Sequence, residues 1–133
     1  MNYSQLKRII LVILLVLPAL SFSYFDVLDN IAGAIRSGDS KQISKYFDNN
    51  VELTILERES SYSRTQAEMV LKDFFSKNPV QSFDLIHRGT SGEGSAYGIG
   101  KMKTSSQTLR VYYYVKQKGN QSVLQEMRFE KQQ

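Results

Sequence analysis

The stretch "AIRSGDSKQISKYFDNNVEL" (Ala34 to Leu53) constrains this chain more than any other. It ends one helix, turns on Gly-Asp, leaves room for barely two turns of a second helix and then enters a strand. Two helices joined by so little chain must fold back sharply on each other. Gly38 suits the reversal, because a residue without a Cβ takes a left-handed conformation without steric cost. Asp39 follows as the cap of the second helix, with Gln42 three residues on as its capping-box partner. Ile43, Tyr46 and Phe47 make the buried side of that helix. It is too short to stand alone, so packing must hold it. Asp48, Asn49 and Asn50 favour turns and are expected to end it.

The helix before the reversal is predicted over Phe25 to Ser37. Val27, Leu28, Ile31 and Ile35 recur at helical spacing, with Asp26 and Asp29 in the first turn and Arg36 in the last. After the short helix, Val51 to Leu56 alternates as a strand does, "ERESS" (Glu57 to Ser61) reads as a polar turn, and Tyr62 begins a short return strand. A third helix follows, with Ser63 and Gln66 or Thr65 and Glu68 as its capping box. Ala67, Val70, Leu71, Phe74 and Phe75 line one face, and Asn78-Pro79 stops it. The rest is β: Gln81 to Gly89, Ser95 to Thr104, Thr108 to Lys118 and Ser122 to Glu130, joined by short connections rich in turn residues. Helices first and a meander after them predict an α+β domain, with three N-terminal helices packed on a strongly curved antiparallel sheet.

Lys7 and Arg8 precede an unbroken apolar run, Ile9 to Leu17, which Pro18 breaks before Ser21, Phe22 and Ser23. That is the pattern of a signal peptide over 1–23, cleaved near Ser23. The alternative is an uncleaved N-terminal anchor, but the run is about half what a membrane span needs, so no span is expected in the mature chain. The single domain is then 24–133, exported to the periplasm or the medium. The chain has no Cys, which excludes both a lipidated cysteine and disulfides.

The net charge of +4 falls to +2 once Lys7 and Arg8 are removed, too little for a nucleic-acid footprint, and no nucleic-acid partner is expected. The charge is uneven, however. No acid lies between Gly94 and Gln125, while Lys101, Lys103, Arg110, Lys116 and Lys118 fall inside that span. From Tyr24 to Glu93 acids outnumber bases 11 to 8.

The order "NIAGAIRSGD", "SKQISKYF", "NNVELTIL", a third helix and closing strands resembles the nuclear transport factor 2-like superfamily, a cone-shaped α+β fold with a cystatin-like sheet. Within it the chain most resembles small exported bacterial members with no assigned activity. The resemblance covers nearly all of 25–131. It implies a pocket between helices and concave sheet, and frequent dimerisation through the outer sheet face. It implies no single activity, because the fold hosts isomerases, dehydratases, ligand binders and dimer modules alike.

A hairpin centred on Ser105-Ser106 pairs Gly98 with Tyr113, Gly100 with Val111 and Met102 with Leu109, and these look inward. The glycines either bend the strand or leave room for Tyr113. Tyr97, Ile99 and Lys101 then lie beside Tyr114, Tyr112 and Arg110 on the other face. Tyr97, Ile99, Tyr112 and Tyr114 form an aromatic patch edged by Lys101 and Arg110, the candidate interface of a homodimer. Tyrosine also simply favours strands, which explains the patch without a partner.

His87, the only histidine, alternates with Phe83 and Leu85 and is read as inward-facing. It is a candidate general acid or base, with Tyr113 as its pocket partner, but the favoured reading is a partly buried histidine with a satisfied hydrogen bond. Asp84 lies three residues away on the same strand, so it is expected on the opposite face. No spacing that suits a metal or a cofactor is visible, and none is expected.

The last strand has two parities. In one, Tyr113 is beside Met127 and Val111 beside Phe129, and the interior is dry. In the other, Glu126 and Arg128 join Tyr113 as a polar pocket. The dry parity is favoured, because the slip would bury two charges. The expectation is an exported non-catalytic domain that binds a partner or a small ligand in its cone. The alternatives are a lyase or isomerase using His87 and Tyr113, and a binder of anionic polymers or lipids through the basic strands.

Overall fold

The computed structural model describes residues 2–8 and 23–133. The apolar run of the signal-peptide assignment lies outside the described residues. Residues 3–8 form a short helix, α1. Helix α2 runs over Ser23–Arg36 and ends at the Gly-Asp reversal. Gly38 has a φ of 63°. Its N–H donates to the Ile35 carbonyl at 2.9 Å, and the Asp39 N–H donates to Ala34 at 3.1 Å. These two bonds satisfy carbonyls that the helix end would otherwise orphan. The Asp39 carboxylate then accepts the Gln42 N–H at 3.1 Å and starts α3, Ser40–Ser44, at once.

Strand β1 begins earlier than its apolar alternation suggests, at Phe47, and runs to Ile55. The Asp-Asn-Asn segment expected to be a turn is an irregular part of this strand, where its register against the last strand shifts between Phe47 and Glu52. Residues that tolerate turns also tolerate that distortion. The expected polar turn is also corrected. Only Leu56 and Glu57 connect β1 to β2, Arg58–Ser63, because Ile55 pairs with Arg58. Strand β2, expected only from Tyr62 on, starts earlier than read because it is a sheet edge whose residues are polar apart from Tyr62. Of the two capping boxes read for the next helix, α4 (Arg64–Lys77), Ser63 and Gln66 make both bonds of the box. Strands β3 (Val80–Thr90), β4 (Ser95–Thr104), β5 (Thr108–Lys118) and β6 (Gln121–Lys131) follow.

The domain is α+β with one six-stranded sheet in the order β2-β1-β6-β5-β4-β3. Two points differ from the expected plan. The described residues hold four helices, of which α4 lies between β2 and β3 rather than at the N-terminus. The sheet is also not purely antiparallel, because β1 pairs with β6 in parallel. Register shifts at Phe47/Glu52, Leu85/His87 and Tyr114/Val115 accompany its curvature.

The core fills the concave side. Leu28, Ile31 and Ile35 from α2, Ile43 from α3, and Leu71, Phe74 and Phe75 from α4 meet Phe83, Met102, Val111, Tyr113, Met127 and Phe129 from the sheet. The β5–β6 register sets Tyr113 opposite Met127 and Val111 opposite Phe129, which is the dry parity. Two glycines make the fit. A Cβ on Gly98 would stand 2.6 Å from Tyr113 Cζ, and one on Gly100 would strike the Phe83 ring. The Tyr113 hydroxyl crosses the core and donates to the Leu28 carbonyl at 2.7 Å.

Candidate functional site

The convex face of the sheet collects the candidate residues. Strands β4 and β5 pair as their hairpin requires, setting Tyr97 opposite Tyr114, Ile99 opposite Tyr112 and Lys101 opposite Arg110. Strict alternation then sends all six outward. Tyr97, Ile99, Tyr112 and Tyr114 are each half-buried against their neighbours. Tyr97 and Tyr112 stack with centroids 6.2 Å apart and planes 28° from parallel. Tyr97 also covers Gly89 on β3, where a Cβ would stand 2.6 Å from its ring.

His87 is on this face too, which corrects the inward reading. The register steps from Leu85 opposite Gly100 to His87 opposite Ile99, so Ile86 is an extra residue that reverses the alternation. His87 Nε2 therefore lies 3.3 Å from the Tyr97 hydroxyl, in solvent, with ring centroids 5.8 Å apart. The same bulge puts Asp84, opposite Lys101, on the same face as His87. Ile86 itself is 67% exposed.

Glu126 and Arg128 are likewise outside rather than in a pocket, beside Tyr114 and Tyr112. The Arg128 guanidinium sits 4.6 Å over the Tyr112 ring, and its Nε donates to Glu126 at 2.6 Å. That bond raises the Arg128 pKa above its ordinary value, and partial burial followed by the Glu126 charge raises that of Tyr112. A continuous strip results: His87, Tyr97, Tyr112, Arg128 and Glu126, one side chain after another across four strands.

Of the expected pocket residues only Tyr113 lies inside. Burial holds its phenol far above the ordinary tyrosine range. Its proton is committed to Leu28, and the nearest charges on the concave side, Asp29 and Arg88, are held to each other at 2.8 Å. His87 and Tyr113 are thus on opposite sides of the sheet. The basic run meets acids at three of its five positions: Lys101 lies opposite Asp84, Arg110 opposite Glu130, and Lys118 holds Asp48 at 2.7 Å.

Sequence reasoning missed a groove of about 500 Å³ between α4 and the β1–β2 hairpin. Its floor includes Phe74, and its walls include Leu56 and Met69. The one signal for it was Met69, an apolar residue off the core stripe of α4 and 59% exposed. Among the described residues no helix is long and apolar enough to cross a membrane.

Residues 28–130 match the family described as a domain of unknown function, DUF4783. The chain belongs to the DUF4783 family. A crystal structure of a DUF4783 protein from Bacteroides ovatus is 28% identical, with a TM-score of 0.74 over 78% of this chain and 94% of that one. The fold extends further. A cystatin-like domain of unknown function from Nostoc punctiforme is 9% identical, with a TM-score of 0.68 over 85% of this chain and 80% of that one. A protein whose name contains "NTF2" is 14% identical, with a TM-score of 0.62 over 81% of this chain and 96% of that one. Together they show a fold shared with cystatin-like and NTF2-named proteins, and no activity. No curated protein matches this chain.

Proposed function

We propose that this DUF4783 domain is exported and acts by binding rather than by catalysis, with the convex strip as its contact surface to a second copy of itself. The observation that carries the reading is the division of the candidates by the sheet. The interior is filled by fully buried apolar groups and a committed Tyr113, while the polarisable rings and Arg128 face outward. Stacked tyrosines with an arginine on their face are the residue types that anchor protein interfaces. Arg128 on the strip is paired with Glu126, and Lys101 and Arg110 at its edge lie opposite Asp84 and Glu130, an interspersed charge pattern that favours a specific contact over attraction to a generic polyanion. Lys7, Arg8 and the apolar run before Ser23 support the export part of the reading.

The test is sedimentation of the protein recovered from an exporting host. A dimer that survives high salt and dissociates on Tyr112→Asp is the expected result, since an apolar and aromatic contact is weakly screened. A monomer at high concentration, or a dimer indifferent to Tyr112→Asp, defeats the reading.

A further inference from the structure

The groove at α4 lies on the opposite side of the sheet from the strip, and three observations single it out. Its interior is apolar, formed by Ile55, Leu56, Tyr62, Met69, Val70 and Phe74, and its volume of about 500 Å³ is that of a small-molecule site. Leu56 has a φ of 59°, the one non-glycine residue with positive φ among the described residues. It occupies the first position of a two-residue hairpin connection, where glycine, asparagine or aspartate is ordinary. A branched side chain held in a disfavoured backbone conformation, with that side chain forming a groove wall, is strain located at a site. Met69 opposite it is exposed, and a thioether side chain adapts its shape to what it touches.

The rim supplies the polarity. Lys77 is held by Asp73 at 3.0 Å. Arg58, at the mouth and beside Leu56, has no ion-pair partner among the described residues. An apolar trough with one uncompensated guanidinium at its rim fits a single chain with an anionic head. A flat bilayer surface does not fit a concave trough between a helix and a hairpin. We propose that the groove binds a free aliphatic carboxylate, its chain against Leu56, Met69 and Phe74 and its head on Arg58.

The experiment is a chemical-shift titration of the full chain with decanoate and, in parallel, with decanol and with phosphatidylglycerol vesicles. Saturable shifts confined to Leu56, Arg58, Met69 and Phe74 with decanoate, weaker ones with decanol and none with vesicles are expected. Arg58→Gln should weaken decanoate about fivefold, the loss of one exposed ion pair, and leave decanol unchanged. Met69→Glu, at an exposed position that folding does not need, should abolish both. No saturable shift with decanoate, shifts centred on another face, or binding to vesicles alone would overturn the proposal. Equal decanoate affinity in wild type and Arg58→Gln would overturn it too. None of these readouts depends on Tyr112, so the result stands apart from that of the dimer test.

Discussion

At Gly98 a single missing carbon decides whether the core closes. A Cβ there meets Tyr113 Cζ at 2.6 Å, and the ring has nowhere to go because its hydroxyl is bonded to Leu28. Gly98→Ala should therefore cost about 1–3 kcal/mol, the usual penalty for overpacking. Gly33 makes the control. It sits inside α2 with nothing within 4 Å of an added Cβ, so Gly33→Ala should stabilise by roughly 0.5–1 kcal/mol through helix propensity. Urea midpoints measure both, and the two substitutions should differ in sign. A Gly98→Ala variant as stable as wild type would mean that Tyr113 can retreat. The role of Gly98 was legible, because the Ser105-Ser106 hairpin fixes its pairing with Tyr113 and sterics do the rest. The side of His87 was not. Its displacement comes from one extra residue, Ile86, and an isoleucine in a strand carries no mark of a bulge, as a glycine often does.

Among elements, the contact between β1 and β6 is the least regular and the most dependent on side chains. Where the register slips after Phe47, Asp48 does the work that ladder bonds do elsewhere. Its carboxylate accepts Lys118 Nζ at 2.7 Å, Gln125 Nε2 at 3.1 Å and the Asn49 N–H at 2.8 Å. The bond from Lys118, ahead of the opposing burial, lowers the Asp48 pKa below its ordinary value. A carboxyl with a lowered folded pKa binds fewer protons in the fold than in the unfolded chain. Its stability contribution is then complete above the unfolded pKa of about 3.9 and fades as pH falls through the folded value. Asp48→Asn should cost roughly 1–2 kcal/mol at neutral pH, and the gap to wild type should close in acid. Urea unfolding from pH 7 downward checks it. A gap that stays constant into acid would mean that the amide merely perturbs packing. Asp48 was read as a turn former because short polar residues do announce irregular backbone. Nothing local says whether that irregularity ends a helix or distorts a strand. Hairpins β3–β4, β4–β5 and β5–β6 were legible, since short connections leave a strand one partner to reach. The parallel partner of β1 was not, because it lies at the far end of the chain.

That same non-local pairing fixes how the whole molecule must behave. The last strand lies between β1 and β5, so the sheet's first hairpin joins the rest only through β6. Leu56 N–H donates to Phe129 at 2.7 Å and Leu124 N–H to Tyr46 at 2.6 Å, bonds that span most of the sequence. The core repeats the arrangement, with Phe74 of α4 5.1 Å from Phe129 of β6 between ring centroids. No half of the chain can bury its apolar face without the other. Unfolding should therefore be a single transition, with far-ultraviolet circular dichroism and tyrosine fluorescence superimposed along a urea gradient. A chain that stops before Gln121 should fail to fold at all rather than lose one strand, since it strands the β1–β2 hairpin and uncovers Phe74 and Phe75. Because so many contacts join distant residues, refolding should be slower than for a helical protein of this length. Two separable transitions, or a folded chain lacking β6, would show instead that the helices and first hairpin form a unit of their own. The parallel crossing would then be a docking contact rather than the seam that makes the domain one cooperative body.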